Sequence, residues 1–420
     1  MRLPSVSLLL SSLFVFSTIA APQQPPAVSP EVHPDNTVTF RFAAPNAKEV
    51  KLAREGADPV PMQKDDRGVW TLTTSPLAPD YYGYSFLADG VRSLDPSNHY
   101  LVPNLLTPAN SVHVPGLPSL PWEVNDVPHG VVHHHFYKST VAQDDDDRDY
   151  YVYTPPNYDP AAKQTYPVLY LLQGYSDDAS GWIAVGRANV ILDNLIAQGK
   201  AKPMIVVMPL GYGTMEMIRQ SWNAWSHTEL RDANFKKFTD ALLTEVMPQV
   251  ETEYRITKDR NARAIAGLSM GGSESLLTGL NNLDKFSWIG AFSSGGIPED
   301  FAKDFPALDA KSNQQIHLLW IACGTEDHLI TINRSLKEWL KTQGVNHADI
   351  ETPGMHTWMV WRRNLAYFAQ LIFRSSSSTP QKITVHSPTP DPPTLPASPP
   401  PSALTYPTQT CALPAPASKS

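Results

Sequence analysis

One stretch restricts the fold more than any other. Ala264-Ile265-Ala266-Gly267-Leu268-Ser269-Met270-Gly271-Gly272 ends an apolar, strand-like run and contains Gly-x-Ser-x-Gly, and helical spacing follows from Ser273 to Leu280. A serine at such a junction sits on a sharp strand-to-helix turn, with Oγ exposed above the carboxyl edge of a sheet. Gly267 and Gly271 are required because side chains there would collide across so tight an elbow. The short motif alone is weak, but a strand before it and a helix after it make it strong. Ser269 is the candidate nucleophile.

The surroundings read as a layered α/β domain. Apolar runs at Val168 to Leu172, Ile205 to Met208, Ala264 to Ala266 and Ile316 to Cys323 alternate with helical spacing at Ala188 to Gln198, Phe235 to Tyr254 and Ser273 to Leu280. Phe235, Phe238, Leu242, Val246 and Val250 mark one helical face, with Asn234 as the expected N-cap. Strands buried on both faces and joined by helices make a mostly parallel central sheet covered on each side. Val131 to Tyr137 and Tyr150 to Tyr153 read as opening strands, with Asp144-Asp145-Asp146-Asp147 at a solvated hairpin tip. A calcium site there lacks the interleaved spacing such loops have. A last helix is expected from about Trp358 to Phe373, so the domain spans 129–374.

Upstream, the period changes to two. Thr37 to Phe42 alternates apolar and polar, Val50-Lys51-Leu52 and Val69 to Leu72 repeat the habit, and Asp89-Gly90 between Tyr82–Ala88 and Val91–Leu94 signals a type I′ hairpin. Short strands spaced by turns imply a small all-β sandwich over 34–115. Prolines at 103, 108, 115, 118, 121 and 128 argue against regular structure, so 116–128 reads as a linker. Residues 375–420 form a Pro/Ser-rich tail that cannot bury enough to order itself. Met1-Arg2, an apolar stretch to Ile19 and small residues at Ala20 and Ala21 describe a signal peptide over 1–20, with a leader over 21–33. The expected location is therefore secreted or periplasmic, with no membrane span. Cys323 and Cys411 are the only cysteines, which excludes a disulfide framework. A net charge of −8 argues against a nucleic-acid partner.

A serine hydroxyl needs a base to take its proton and a carboxylate to hold that base in the right tautomer. In this layout the chain order is Ser, then acid, then His. The buried run Leu318 to Cys323 breaks at Gly324-Thr325-Glu326-Asp327, so both acids qualify by position, and Asp327 is favoured because acids at such strand ends are commonly Asp. Of the histidines beyond it, His328 is its direct neighbour, His347 precedes a strand-like piece, and His386 lies in the tail. His356, in the loop after Ala348 to Glu351, is left as the base.

From about Val131 to Phe373 the chain resembles the esterase D superfamily, and within it the feruloyl esterases of carbohydrate esterase family 1. The resemblance rests on Val152 to Tyr158, Pro167 to Leu172, Gly186 to Ile191, Ala264 to Gly272, Ile321 to Ile330 and Gly354 to Trp361. The sandwich resembles the early-set immunoglobulin-like module that precedes many carbohydrate-active enzymes. The first resemblance implies an α/β-hydrolase domain, the Ser269, Asp327 and His356 set, and no metal or organic cofactor. It implies a feruloyl or acetyl ester on plant cell-wall polysaccharide as substrate. It also implies an oxyanion hole made by the backbone N–H of Met270 and a second donor after Leu172. There the family usually has His-Gly and this chain has Gln173-Gly174-Tyr175, which leaves Gly174 and Tyr175 as alternatives.

Trp182, Trp222, Trp225 and Trp358 fall in segments expected at the same sheet edge, where flat rings would suit an aromatic acyl group. Trp70, Tyr81, Tyr82 and Tyr84 could bind sugar or be core. His133-His134-His135 with His129 invites a zinc site but lacks a complete ligand set nearby. Cys323 reads as a buried hydrophobe. The rival functions are an enterochelin-type siderophore esterase and a non-catalytic carbohydrate-binding protein.

Overall fold

The structure, a computed structural model, describes residues 28–142, 147–297 and 299–374. The expectations for the signal peptide, most of the leader, Asp144 to Asp146, Cys411 and the tail lie outside the described residues.

The period-two segments form two antiparallel sheets. One orders Glu31–Val32, Val38–Ala43, Val69–Thr73 and Gln63–Lys64. The other orders Val60–Pro61, Val50–Arg54, Asp80–Ala88, Ala109–Val114 and Leu101–Val102, with Val91–Ser93 paired to Asp80–Ala88. Ala88 pairs with Val91 across Asp89 and Gly90, whose φ values of 48° and 83° are the positive pair a type I′ turn needs. Trp70, Tyr82 and Tyr84 lie in the sandwich core, so the glycan reading loses three of its four rings. Tyr81 is occupied on its faces by the His113 ring and the Arg187 guanidinium.

One boundary moves. The leader read over 21–33 is overrun by the sandwich: Glu31–Val32 is a strand, and Ser29 is buried with its hydroxyl donating to Asp95. The proline-rich stretch hides the strand Ala109–Val114, and the expected linker is packed rather than free. Asn194 donates to the carbonyls of Pro121 and Glu123, and the buried Glu123 carboxylate accepts from Gly116, Ser119 and Leu120.

The second region is an eight-stranded sheet. Its strands are β1 (Val131–Tyr137), β2 (Arg148–Thr154), β3 (Val168–Leu172), β4 (Ile205–Pro209), β5 (Arg263–Leu268), β6 (Trp288–Phe292), β7 (Leu318–Gly324) and β8 (Ala348–Thr352). The spatial order is β1-β2-β4-β3-β5-β6-β7-β8. The pairs from β4 through β8 are parallel, and the first two strands pair antiparallel with their neighbours. The main helices are α1 (Ala188–Ala197), α2 (Thr228–Ala241), α3 (Met270–Leu280), α4 (Ile330–Thr342) and α5 (Trp358–Leu371). Strands β3 to β6 are buried at every position, as strands covered on both faces must be.

Helix α2 starts at Thr228, a turn and a half before the expected cap, and runs on through a π turn at Leu242–Val246 into Met247–Glu253. Asn234 lies inside it, wholly buried, and its Oδ1 accepts from the amides of Gly213 and Thr214. The residue that looked like a cap for its own helix instead caps a loop from another part of the chain. In β1, His135 is engaged by Tyr254 and Glu253, and His134 by Asp149.

Candidate active site

Strand β5 lies between β3 and β6 and ends at Leu268. Ser269 follows with φ 50° and ψ −117°, and α3 starts at Met270. This conformation is strained for a residue with a Cβ, and it raises the side chain above the sheet edge. A Cβ on Gly267 would lie 2.4 Å from the Gly271 carbonyl oxygen, and one on Gly271 would lie 2.4 Å from that of Gln173. Both glycines are therefore sterically required by the turn.

The carboxyl ends of β7 and β8 open on the same edge, because β5 through β8 are parallel. Asp327 follows β7, and His356 sits between β8 and α5. His356 Nε2 is 3.0 Å from Ser269 Oγ, and Nδ1 is 2.8 Å from Asp327 Oδ2. With the ring proton on Nδ1, His356 donates to Asp327 and Ser269 donates to His356. Asp327 is 2% exposed, and its Oδ1 accepts from the Leu329 amide at 2.8 Å. Burial works to raise the Asp327 carboxyl, but the bond and charge of His356, the Leu329 amide and the Ser293 hydroxyl outweigh it and hold the group below its usual range. Glu326 turns away and accepts from the Gly354 amide.

Ser293 went unread in the sequence. It follows β6 with φ 50°, its hydroxyl accepts from Trp361 Nε1 at 3.2 Å, and it supports the Asp327 carboxylate. Recognising β6 would have placed Ser293 at the same sheet edge. Asp327, His328 and His356 also offer three potential metal-ligand atoms within 4.8 Å of one another. A cation there would occupy the imidazole and carboxylate atoms that the serine relay uses.

The Met270 amide heads α3, where the helix dipole favours developing negative charge. The loop after β3 runs alongside: a Cβ on Gly174 would be 3.3 Å from that of Ser269. The Tyr175 ring turns aside, and its hydroxyl lies 2.7 Å from the Met217 carbonyl and 2.6 Å from that of Ser221. Behind this loop, the buried side chains of Gln173 and Glu274 have no protein hydrogen-bond partner, and burial, opposed by Arg148, pushes the Glu274 carboxyl well up.

The four tryptophans divide. Trp182 is wholly buried, donates to the Leu172 carbonyl and packs edge-on against Trp358, itself buried. Neither offers a face to substrate, which corrects that part of the expectation. Trp222 and Trp225 pack edge-on against Tyr175 at 5.0 and 5.1 Å, and Trp222 is 59% exposed. Met355, beside His356, is also exposed. The Cys323 thiol is pushed up to about 12 by burial and by Asp327, which makes it a poor nucleophile.

The β5 elbow and the sheet order define an α/β-hydrolase. The putative esterase family model matches residues 142–370, and the chain belongs to that family. An endo-1,4-beta-xylanase/feruloyl esterase of Xylanibacter ruminicola is 30% identical over 360 residues, which are 84% of this chain and 47% of that protein. This chain thus spans about half the length of that relative. A carbohydrate esterase family 1 ferulic acid esterase from the anaerobic fungus Anaeromyces mucronatus superposes with a TM-score of 0.52 at 26% identity, covering 60% of this chain and 93% of its own. The enterobactin esterase of Shigella flexneri reaches a TM-score of 0.58 over 80% of this chain and 92% of its own, but at 18% identity it shares the fold alone. Among the described residues, no helix is long and apolar enough to cross a membrane.

Proposed function

We propose that this chain is an exported feruloyl esterase that releases aromatic acyl groups from plant cell-wall polysaccharide. The observation that carries the mechanism is the single line of hydrogen bonds from Ser269 through His356 to Asp327, at 3.0 and 2.8 Å. Ser269 Oγ attacks the ester carbonyl while its proton passes to His356 Nε2. The buried Asp327 carboxylate holds the ring and stabilises the imidazolium. The carbonyl oxygen becomes an oxyanion, held by the Met270 amide and a second donor from the loop after β3. The amides of Gly174 and Tyr175 are the two candidates for that donor. Collapse expels the sugar alkoxide, which takes the proton from His356. Water, deprotonated by the same ring, then attacks the acyl-enzyme, and Ser269 is regenerated.

Trp222 and Trp225 flank the oxyanion loop and would wall an aromatic acyl group. The substrate class rests on the xylanase/feruloyl esterase and the ferulic acid esterase that this chain resembles, and export rests on the character of residues 1–20.

A fluorophosphonate probe, with hydrolysis of methyl ferulate, acetylated xylan and a ferric catecholate triester, tests the reading. Wild type is expected to be labelled and to prefer ferulate, and Ser269→Ala to lose both activities. Labelling that survives in Ser269→Ala would move the nucleophile elsewhere. Preference for the catecholate triester would replace the substrate with a siderophore.

A further inference from the structure

The seam between the sandwich and the hydrolase sheet contains buried charge, and two of its contacts reach loops of the ester site. Glu55 follows the sandwich strand Val50–Arg54. Its Oε1 accepts the Trp358 amide at 2.7 Å, and its Oε2 accepts that of Gly83 at 3.1 Å. Trp358 opens α5, two positions after His356. Its N–H is one of those a helix cannot satisfy internally, and a carboxylate there also complements the helix dipole. One turn on, the wholly buried Arg362 donates to the Asp80 carboxylate and the Tyr81 carbonyl of the sandwich. Between these two anchors, Met359 packs against the sandwich core. The start of α5, and with it the loop that carries His356, is fastened from the sandwich side.

The second contact comes from the loop that joins Leu101–Val102 to Ala109–Val114. The Leu105 amide donates to the Ser176 carbonyl at 2.7 Å. Asn104 Nδ2 donates to Ser176 Oγ at 2.9 Å and to Asp177 Oδ1 at 3.1 Å. Leu106 packs against the cluster that holds Tyr175 and Met270. Ser176 adopts φ 73°, a left-handed conformation that costs a residue with a Cβ and persists only where its surroundings over-determine it. Both atoms of Ser176 that this loop binds are held by sandwich residues.

Taking Ser269, His356 and Asp327 as the ester-cleaving set, we propose that the sandwich is a working part of the site: Asn104 fixes the oxyanion loop and Glu55 fixes the histidine loop. Both are positioning residues. Neither reaches the reacting atoms: Glu55 holds the backbone two residues after His356, and Asn104 holds the side chains of Ser176 and Asp177, within three residues of the candidate oxyanion donors. An ångström of misplacement in such a group costs on the order of a hundredfold in rate.

The full chain is assayed on 4-nitrophenyl acetate, whose acyl group is too small to meet the sandwich. Glu55→Ala and Asn104→Ala are each expected to lower kcat about tenfold or more, with KM within about twofold. The rate of fluorophosphonate inactivation falls in parallel. Glu55→Gln keeps an acceptor for the Trp358 amide and is expected to restore most of kcat. Asn104 lies on an accessible loop, so its variant stays informative even where Glu55→Ala unfolds, which the thermal midpoint reports. A folded Glu55→Ala or Asn104→Ala with wild-type kcat overturns the proposal, as does a loss confined to KM. Turnover that persists in a parallel Ser269→Ala would instead sink the underlying reading of the site.

Discussion

Asp177→Asn isolates a cost that the loop after β3 carries in the fold. Asp177 is buried in the loop after β3, and burial pushes its carboxyl from 3.8 up to about 8, with Asp178 adding to the shift and the Asn104 bond opposing it. A carboxyl whose folded pKa is raised binds its proton more tightly in the native state than in the unfolded chain. Its contribution to stability is therefore full below about pH 4, falls as pH rises toward about 8, and is level beyond. Each pH unit in that window costs about 1.4 kcal/mol. At pH 7 the unfolded carboxyl is about three units past its pKa while the folded one remains mostly protonated, so the burden is about 4 kcal/mol. Asparagine retains an acceptor for Asn104 and removes the titration. Urea unfolding followed by tryptophan fluorescence, from pH 4 to pH 9, should show the variant gaining on wild type by about 1.4 kcal/mol per unit between pH 5 and 7. That slope requires only that the folded carboxyl keep its proton, so it is insensitive to where near pH 8 the group titrates. Parallel stability curves for the two proteins would refute the reasoning, because they would mean that Asp177 is already ionised in the fold.

Asp327→Asn should keep the fold and lower kcat on methyl ferulate by about 10⁴, because an amide beside Nδ1 favours the wrong imidazole tautomer; a loss under about tenfold would remove Asp327 from the relay. In Gly174→Ala the new methyl would lie 2.6 Å from Leu268 Cδ1 and 3.3 Å from Ser269 Cβ. The resulting shift of the oxyanion loop should cost about 10² in kcat, and unchanged turnover would mean the loop is not part of the oxyanion hole. Trp222→Ala should raise KM for methyl ferulate about tenfold while leaving that for an acetyl ester within about twofold. Equal effects on both esters would show that the ring does not select an aromatic acyl group.

The grouping of Ser269, Asp327 and His356 is legible because each residue is announced locally. Ser269 sits in a strand-turn-helix signature, Asp327 just past an apolar run, and His356 just before a helical stretch. Neighbouring elements escaped for physical reasons. Strand β6 is a five-residue run, Trp288 to Phe292, fully buried but broken in its middle by Gly290, so neither period two nor length marks it. Helix α4 hides because its buried face carries Asn333 and Lys337 among leucines, and Lys337 is buried only because Asp349 and Glu351 on β8 pair with it. Trp182 lies against the end of β3 and Trp358 opens α5, but sequence spacing does not say which way a ring turns once it arrives.

The seam between the two halves was the least visible feature, and the cause is general. A charged side chain is assigned to solvent unless a partner is known. The partners here are remote in the chain: Glu55 reaches the Trp358 amide, and Arg362 reaches Asp80. Removing one member of such a pair leaves a buried charge uncompensated, which costs more than the intact pair contributes. Arg362→Met should therefore destabilise the protein by about 3 kcal/mol or more, whereas the double variant Arg362→Met with Asp80→Leu should recover much of that loss. If the double variant is no more stable than the single, the pair is not an isolated ionic contact, and the surrounding carbonyls of Tyr81 and Val185 hold Arg362 without help from Asp80.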